Sequence, residues 1–259
     1  MELRHIAMTA LCLKGWDQKA QLLGQMAQDT FVEANAVLAP MAAIPGRPVL
    51  DLVEPAALKQ RSVHTLVGRA SLIHALAHIE FNAINLALDV VWRFSGMPEA
   101  FYRQWAGVAQ EESLHFSLLH AHLQTLGYDY GDFPVHDGLW EMAERTKDDP
   151  LARMALVPRT LEARGLDASP LVRHKLASGG DPKAAAIVDI ILRDEIGHVA
   201  IGNTWYRWLC TQRGLDPIAT FAQLARTYSA PVLKGPFNLD ARRAAGFEEE
   251  ELQVLGLPY

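Results

Sequence analysis

One pattern occurs twice along the chain and constrains it more than any other feature. A glutamate in an apolar stretch is followed, 32 or 33 residues later, by Glu-x-x-His in another. The first copy is Glu80 with Glu112 and His115, and the second is Glu162 with Glu195 and His198. Corresponding residues are offset by 82 or 83 positions. A helix advances 3.6 residues per turn, so residues i and i+3 project from one face. Glu-x-x-His is a common pattern: with 15 Glu and 10 His in 259 residues, chance gives about 0.6 occurrences. The chain has three. The third, Glu2/His5, reads as accidental at a fraying terminus.

The neighbours of the repeated residues are apolar. Trp105, Val108, Phe116 and Leu119 share the Glu112 face; Ile191, Leu192, Val199 and Gly202 share that of Glu195. Glu80 sits among Ile73, Leu76, Ala77, Ile84 and Ala87, and Glu162 near Met154 and Leu166. An unpaired carboxylate buried there costs several kcal/mol, roughly 3–5 when its partner is missing. A metal compensates directly. Four helices supplying Glu, Glu-x-x-His, Glu, Glu-x-x-His give the six-ligand set of a di-iron or di-manganese carboxylate centre. Two divalent ions and four carboxylates make a neutral site. Glu162 has alternatives in Glu141 and Glu144, because Pro158 and Gly165 blur its helix.

The rest of the chain fits an all-α reading. Half the residues are hydrophobic and the formal charge is −6. No Lys/Arg run marks general nucleic-acid binding. Cys12 and Cys210 form no CxxC pair, which suits a reducing, cytoplasmic setting. No apolar run reaches the roughly 18 residues of a membrane helix. Helices are expected over 17–38 (ended by Pro40), 62–94, 98–126, 150–166 (kinked at Pro158), 182–212 and after Asp216-Pro217. Asp149-Pro150 and Asp181-Pro182 supply N-cap and first-turn residues. The expectation is one domain over 1–259. A four-helix bundle core occupies about 62–213, an N-terminal helix and Pro-rich connection 1–61, and a C-terminal helix and irregular tail 214–259.

Several polar residues have simpler readings. His74 and His78 suit hydrogen-bonded or surface roles, and His120 and His122 suit the helix surface. Trp205, Tyr206 and Trp208 suit core or interface. The Glu248–Glu251 run reads as solvated charge.

With the paired motif, three segments carry a resemblance to a known family: His78-Ile-Glu-Phe-Asn-Ala-Ile, Leu161-Glu-Ala-Arg-Gly-Leu-Asp and Pro236-Phe-Asn-Leu-Asp-Ala-Arg. The chain resembles the ferritin-like superfamily of di-iron carboxylate proteins, and more closely an uncharacterised, mainly bacterial ferritin-like family. The resemblance implies a ferritin-like four-helix bundle with additional N- and C-terminal helices. It implies two iron ions, with manganese or a mixed pair as alternatives, bridged by Glu112 and Glu195. Glu80 with His115 would complete one metal, and Glu162 with His198 the other. It further implies that Asp194 reaches His115 and Glu111 reaches His198, orienting the rings. Leu119 stands where the ribonucleotide reductase small subunit carries its radical tyrosine, so it would wall an apolar pocket.

The function this implies is O₂ activation for two-electron oxidation or hydroxylation of an unidentified substrate, small molecule or modified macromolecule, with an unidentified electron donor. A ferroxidase or iron-handling protein, and a non-catalytic metal-binding structural protein, are the alternatives. The reading leaves a homodimer open. A cysteine-bound iron, as rubrerythrin-type electron transfer needs, is beyond two cysteines.

Overall fold

A computed structural model describes residues 2–39 and 43–257. The chain is all-α. Among the described residues there is no strand, only an isolated parallel bridge between Leu52 and Val135. Among the described residues no helix is long and apolar enough to cross a membrane. The chain divides into two compact units. The first runs to Asp137 and includes Ser178–Ile187; the second comprises Gly138–Ala177 and everything from Val188 onward.

The first unit is built on two long helices, α3 and α4, with two short ones before them. These are α1 (Leu3–Cys12), α2 (Trp16–Leu23), α3 (Leu66–Arg93) and α4 (Glu99–Thr125). Thr65 caps α3, its hydroxyl accepting from the Gly68 N–H at 3.1 Å. From Glu80 to Trp92 every residue of α3 is buried, and nine of these thirteen are apolar. Five residues, 94–98, join α3 to α4, a connection short enough to make them antiparallel neighbours. Tyr102 locks that turn: its hydroxyl accepts from the Met97 N–H at 3.0 Å and donates to the Phe94 carbonyl at 2.8 Å.

The expected helix over 17–38 stops at Leu23, and residues from Gly24 to 39 are irregular. Asp29, Thr30, Val32 and Asn35 are poor helix formers. A long-range partner satisfies the backbone instead. Arg4, fully buried, donates through Nη1 to the carbonyls of Glu33, Ala34 and Ala36. Its other nitrogens cap the end of α3 at Val91 (3.2 Å) and Trp92 (2.7 Å). Pro40, expected to end the helix, lies outside the described residues. Glu2 is a structured N-cap rather than part of a frayed end, accepting from the N–H groups of Arg4 and His5.

The second unit holds α5 (Gly138–Arg145), α6 (Pro150–Leu156), a π turn over Val157–Glu162 and α7 (Ala163–Ser178, its last residue in the first unit). α8 (Pro182–Arg213) begins in the first unit and enters the second at Val188. After it come α9 (Pro217–Thr227), α10 (Leu239–Ala244) and α11 (Glu249–Gln253). The three Asp-Pro starts stand where the sequence puts them. Asp149 accepts from the Leu151 N–H, Asp181 from that of Ala184 and Asp216 from that of Ala219. The expected 150–166 helix is interrupted rather than kinked. Pro158 has no N–H to give the turn before it, so the helix widens into the π turn and runs on to Ser178.

The tail is not wholly irregular. Ala241, Ala245, Phe247 and Leu252 from it pack with Ala163, Leu166 and Val199. Glu251 departs from the solvated-charge reading: it is buried and pairs with Arg159 and with Arg207 at 2.8 Å. Its neighbours Glu248, Glu249 and Glu250 are exposed.

Candidate metal centre

Glu80 projects from the middle of α3, and Glu112 and His115 from one face of α4. All three are buried, with exposures of 3, 1 and 0%. Each offers one ligand atom within 4.8 Å of the others. His115 Nδ1 lies 3.1 Å from Glu112 Oε2 and 3.3 Å from Glu80 Oε2. Glu80 Oε2 makes no well-formed hydrogen bond, although it is shut off from water. A single ring nitrogen thus lies within 3.3 Å of both carboxylates.

The electrostatics of the trio call for a cation. Burial pushes the Glu80 carboxyl up to about 8; the charge on Glu112 adds to this, and His115 opposes it. Burial disfavours a charged His115 ring, but hydrogen bonds to Glu112 and Glu80, with their charges, outweigh it and carry the ring up to about 11. Protons therefore stand where positive charge is wanted. Two carboxylates and an imidazole are a donor set for iron, manganese or zinc. The buried Glu80 oxygen without a good hydrogen bond fits such an ion.

In the second unit, Glu195 and His198 project from one face of α8. Both are buried, and His198 Nδ1 lies 3.5 Å from Glu195 Oε1. The other glutamate oxygen, Oε2, is buried without a hydrogen-bond partner. The residue types and their i, i+3 spacing match Glu112 and His115, but the separation is longer than the 3.1 Å hydrogen bond there. Glu162 closes the π turn, half-buried. Its alternatives Glu141 and Glu144 are exposed on α5, near Arg145 (3.9 Å) and Lys147 (4.0 Å). Glu111 is exposed, and Asp194 accepts two bonds from its neighbour Arg193. Leu119 is fully buried one turn beyond His115.

An aromatic cluster of Trp16, Phe81, Phe116 and Tyr130 flanks the trio in sequence, with ring centroids 4.5 to 6.3 Å apart among contacting pairs. His74 and His78 are hydrogen-bonded: His74 Nε2 accepts from the Gly131 N–H at 2.8 Å, and His78 Nδ1 meets the Tyr130 hydroxyl at 2.8 Å. His122 is not a surface residue. It is buried and holds Asp181, the cap of α8, at 2.9 Å through both oxygens. Sequence reasoning missed Lys19, buried beside Phe81. It also missed the Arg159–Glu251 pair, whose partners lie 92 residues apart.

The match with known proteins is to a family described as "Protein of unknown function (DUF455)", over residues 12–253. The chain belongs to the DUF455 family. It is also similar to an uncharacterised protein of Haemophilus influenzae (53% identity over 219 residues), covering 82% of this chain and 75% of that one. No solved structure matches. The family name carries no activity, so any function for a DUF455 chain has to be argued from its buried glutamates and histidines.

Proposed function

We propose that this chain is a ferritin-like, di-iron carboxylate oxidase that uses O₂ for two-electron oxidation or hydroxylation of an organic substrate. The observation that carries the reading is the buried Glu80–Glu112–His115 trio, with a shared ring nitrogen and a poorly satisfied carboxylate oxygen. The sequence repeat offers a second set of donors, Glu162, Glu195 and His198, which would hold a second ion. The buried Glu195 oxygen without a partner favours the same assignment. Manganese or a mixed pair suits the same donors.

When bound, such an ion pair supplies redox equivalents and a binding place for O₂. The chain's own residues do the rest. Glu112 and His115, three apart on one face, present fixed donors. Phe116 and Leu119 exclude water around them. Leu119 is aliphatic and cannot hold a radical, so two-electron chemistry is expected there. Tyr206 is tied up elsewhere, its hydroxyl donating to the Pro217 carbonyl at 2.6 Å. The electron donor is external in this reading, and the setting cytoplasmic.

Anaerobic reconstitution followed by elemental analysis tests the centre: about two metals per chain are expected for a two-ion site. Glu112→Ala should lower loading, and full loading in that variant would remove the central assignment. Freeze-quenched paramagnetic resonance after adding O₂ to the ferrous protein should show no long-lived tyrosyl radical. O₂ uptake driven by excess ferrous ion alone would instead favour a ferroxidase.

A further inference from the structure

The second unit contains a cavity of about 290 Å³ that no part of the metal reading uses. Its wall is mostly apolar, formed by α9, the segment around Leu233, Phe247 and the end of α11. Set in that wall are three guanidinium groups, from Arg159, Arg226 and Arg242, and one carboxylate, Glu251. Arg159 and Arg242 are buried, with exposures of 3 and 0%. A buried charge is costly unless each of its donors is matched, so their partners decide what the cavity can hold.

Arg159 is well matched. Its Nε donates to Asn203 Oδ1 at 2.7 Å and its Nη2 to Glu251. Arg242 is matched on one edge only. Nε and Nη2 grip Asp167 at 3.0 and 2.6 Å, and Nη2 also reaches the Ala163 carbonyl at 3.4 Å. Its Nη1 is buried with no hydrogen-bond partner. The wider network also leaves charge over. Arg207 shares Glu251 and pairs with Glu248 at 3.6 Å. Of the three guanidiniums in the wall, Arg159 thus meets Glu251 and Arg242 meets Asp167, while Arg226, exposed, makes no ion pair among the described residues and leaves one positive charge over. The Phe247 ring lies within cation–π distance of both buried guanidiniums, 5.0 Å from that of Arg159 and 5.2 Å from that of Arg242.

We propose that this cavity binds a small organic monocarboxylate with an apolar body, its head on Nη1 of Arg242 and its tail among Phe221, Ala222 and Leu255. A single unmatched donor nitrogen and one excess positive charge suit a monoanion. The apolar wall selects a hydrocarbon body over a sugar or a bare inorganic ion. The volume is at the small end of the roughly 300–1,000 Å³ typical of small-molecule sites, which suits an acid of about ten non-hydrogen atoms.

Calorimetric titration of the full chain with sodium octanoate tests this, with octan-1-ol and inorganic phosphate as comparators. Octanoate should bind saturably at one per chain. Octanol should bind at least tenfold more weakly, and phosphate not measurably. Ala222→Phe, which places a ring in the cavity from α9, should weaken octanoate at least tenfold while the variant still melts cooperatively. Absence of saturable octanoate binding overturns the proposal, as does octanol or phosphate binding as tightly as octanoate. Undiminished affinity in a folded Ala222→Phe protein overturns it too. The comparison of acid with alcohol on the unaltered chain stands whether or not that variant folds.

Discussion

Lys19 shows how much a single side chain can store. It is fully buried on α2, with its ammonium 2.5 Å from Asn85 Oδ1 and 5.4 Å from the centre of the Phe81 ring. Burial pushes it down to about 7 from an ordinary value of 10.5, with the Cys12 charge opposing. The unfolded chain therefore binds the proton more tightly than the folded one between those two values. In that window stability contributed by this residue rises with pH, by up to about 1.4 kcal/mol per unit. Comparison with Lys19→Met isolates the effect. In urea titrations the native protein should gain on the variant between about pH 7 and 10, and the difference should be flat below pH 6. A difference that is flat across the whole range would mean the folded ammonium keeps its charge at pH 10. Nothing in the sequence around Trp16–Leu23 marks Lys19 as buried, because its surroundings come from α3, 66 residues away.

Elements were legible where their signals are local. The starts of α6, α8 and α9 follow from an aspartate that caps and a proline that needs no N–H, both readable without tertiary contacts. The course of residues 33–36 and the packing of the tail were not legible, because distant partners settle them: Arg4 holds the carbonyls of 33–36, Arg242 of α10 grips Asp167, and Arg159 pairs with Glu251 of α11. The π turn lies between these cases. Pro158 announces an interruption, but its form depends on α8. A Cβ built on Gly202 would lie 2.7 Å from Pro158 Cβ and 2.8 Å from its Cγ, so only glycine admits the proline ring there. Gly202→Ala should therefore cost stability, by about 1–3 kcal/mol for an overpacked contact. Gly197→Ala on the same helix meets nothing within 4 Å and should stabilise by up to about 1 kcal/mol through helix propensity. Chemical denaturation of both variants checks the pair. Equal effects of the two substitutions would show that Pro158 does not press on α8.

The whole chain should register the metal centre in its pH–stability profile. The doubled Glu-x-x-His was readable in the sequence because ligand spacing is a local property of a helix. That burial raises a carboxyl of the site also follows from its apolar neighbours; which groups hold the protons does not, since that arises from two helices converging in a dry interior. Without metal, Glu80 binds its proton up to about pH 8 when folded, against 4.5 as an ordinary carboxyl, and His115 up to about 11 against 6.5. Both folded values lie above the unfolded ones. The stability they contribute is complete at low pH and is lost as pH rises, from about 4.5 to 8 for Glu80 and 6.5 to 11 for His115. A bound divalent ion displaces those protons, so its affinity should rise about tenfold per proton per pH unit. The stabilisation by metal should follow by mass action. Melting temperatures of metal-free and Mn²⁺-loaded protein, measured at pH 5.5, 7 and 8 with fixed free Mn²⁺, should therefore separate progressively. Manganese avoids the air oxidation that would complicate ferrous samples. In Glu80→Gln the separation should be smaller and should grow less steeply with pH, because one displaced proton and one donor charge are gone. A separation that is constant with pH in the unaltered chain, with metal demonstrably bound, would place the ion on groups other than Glu80 and His115.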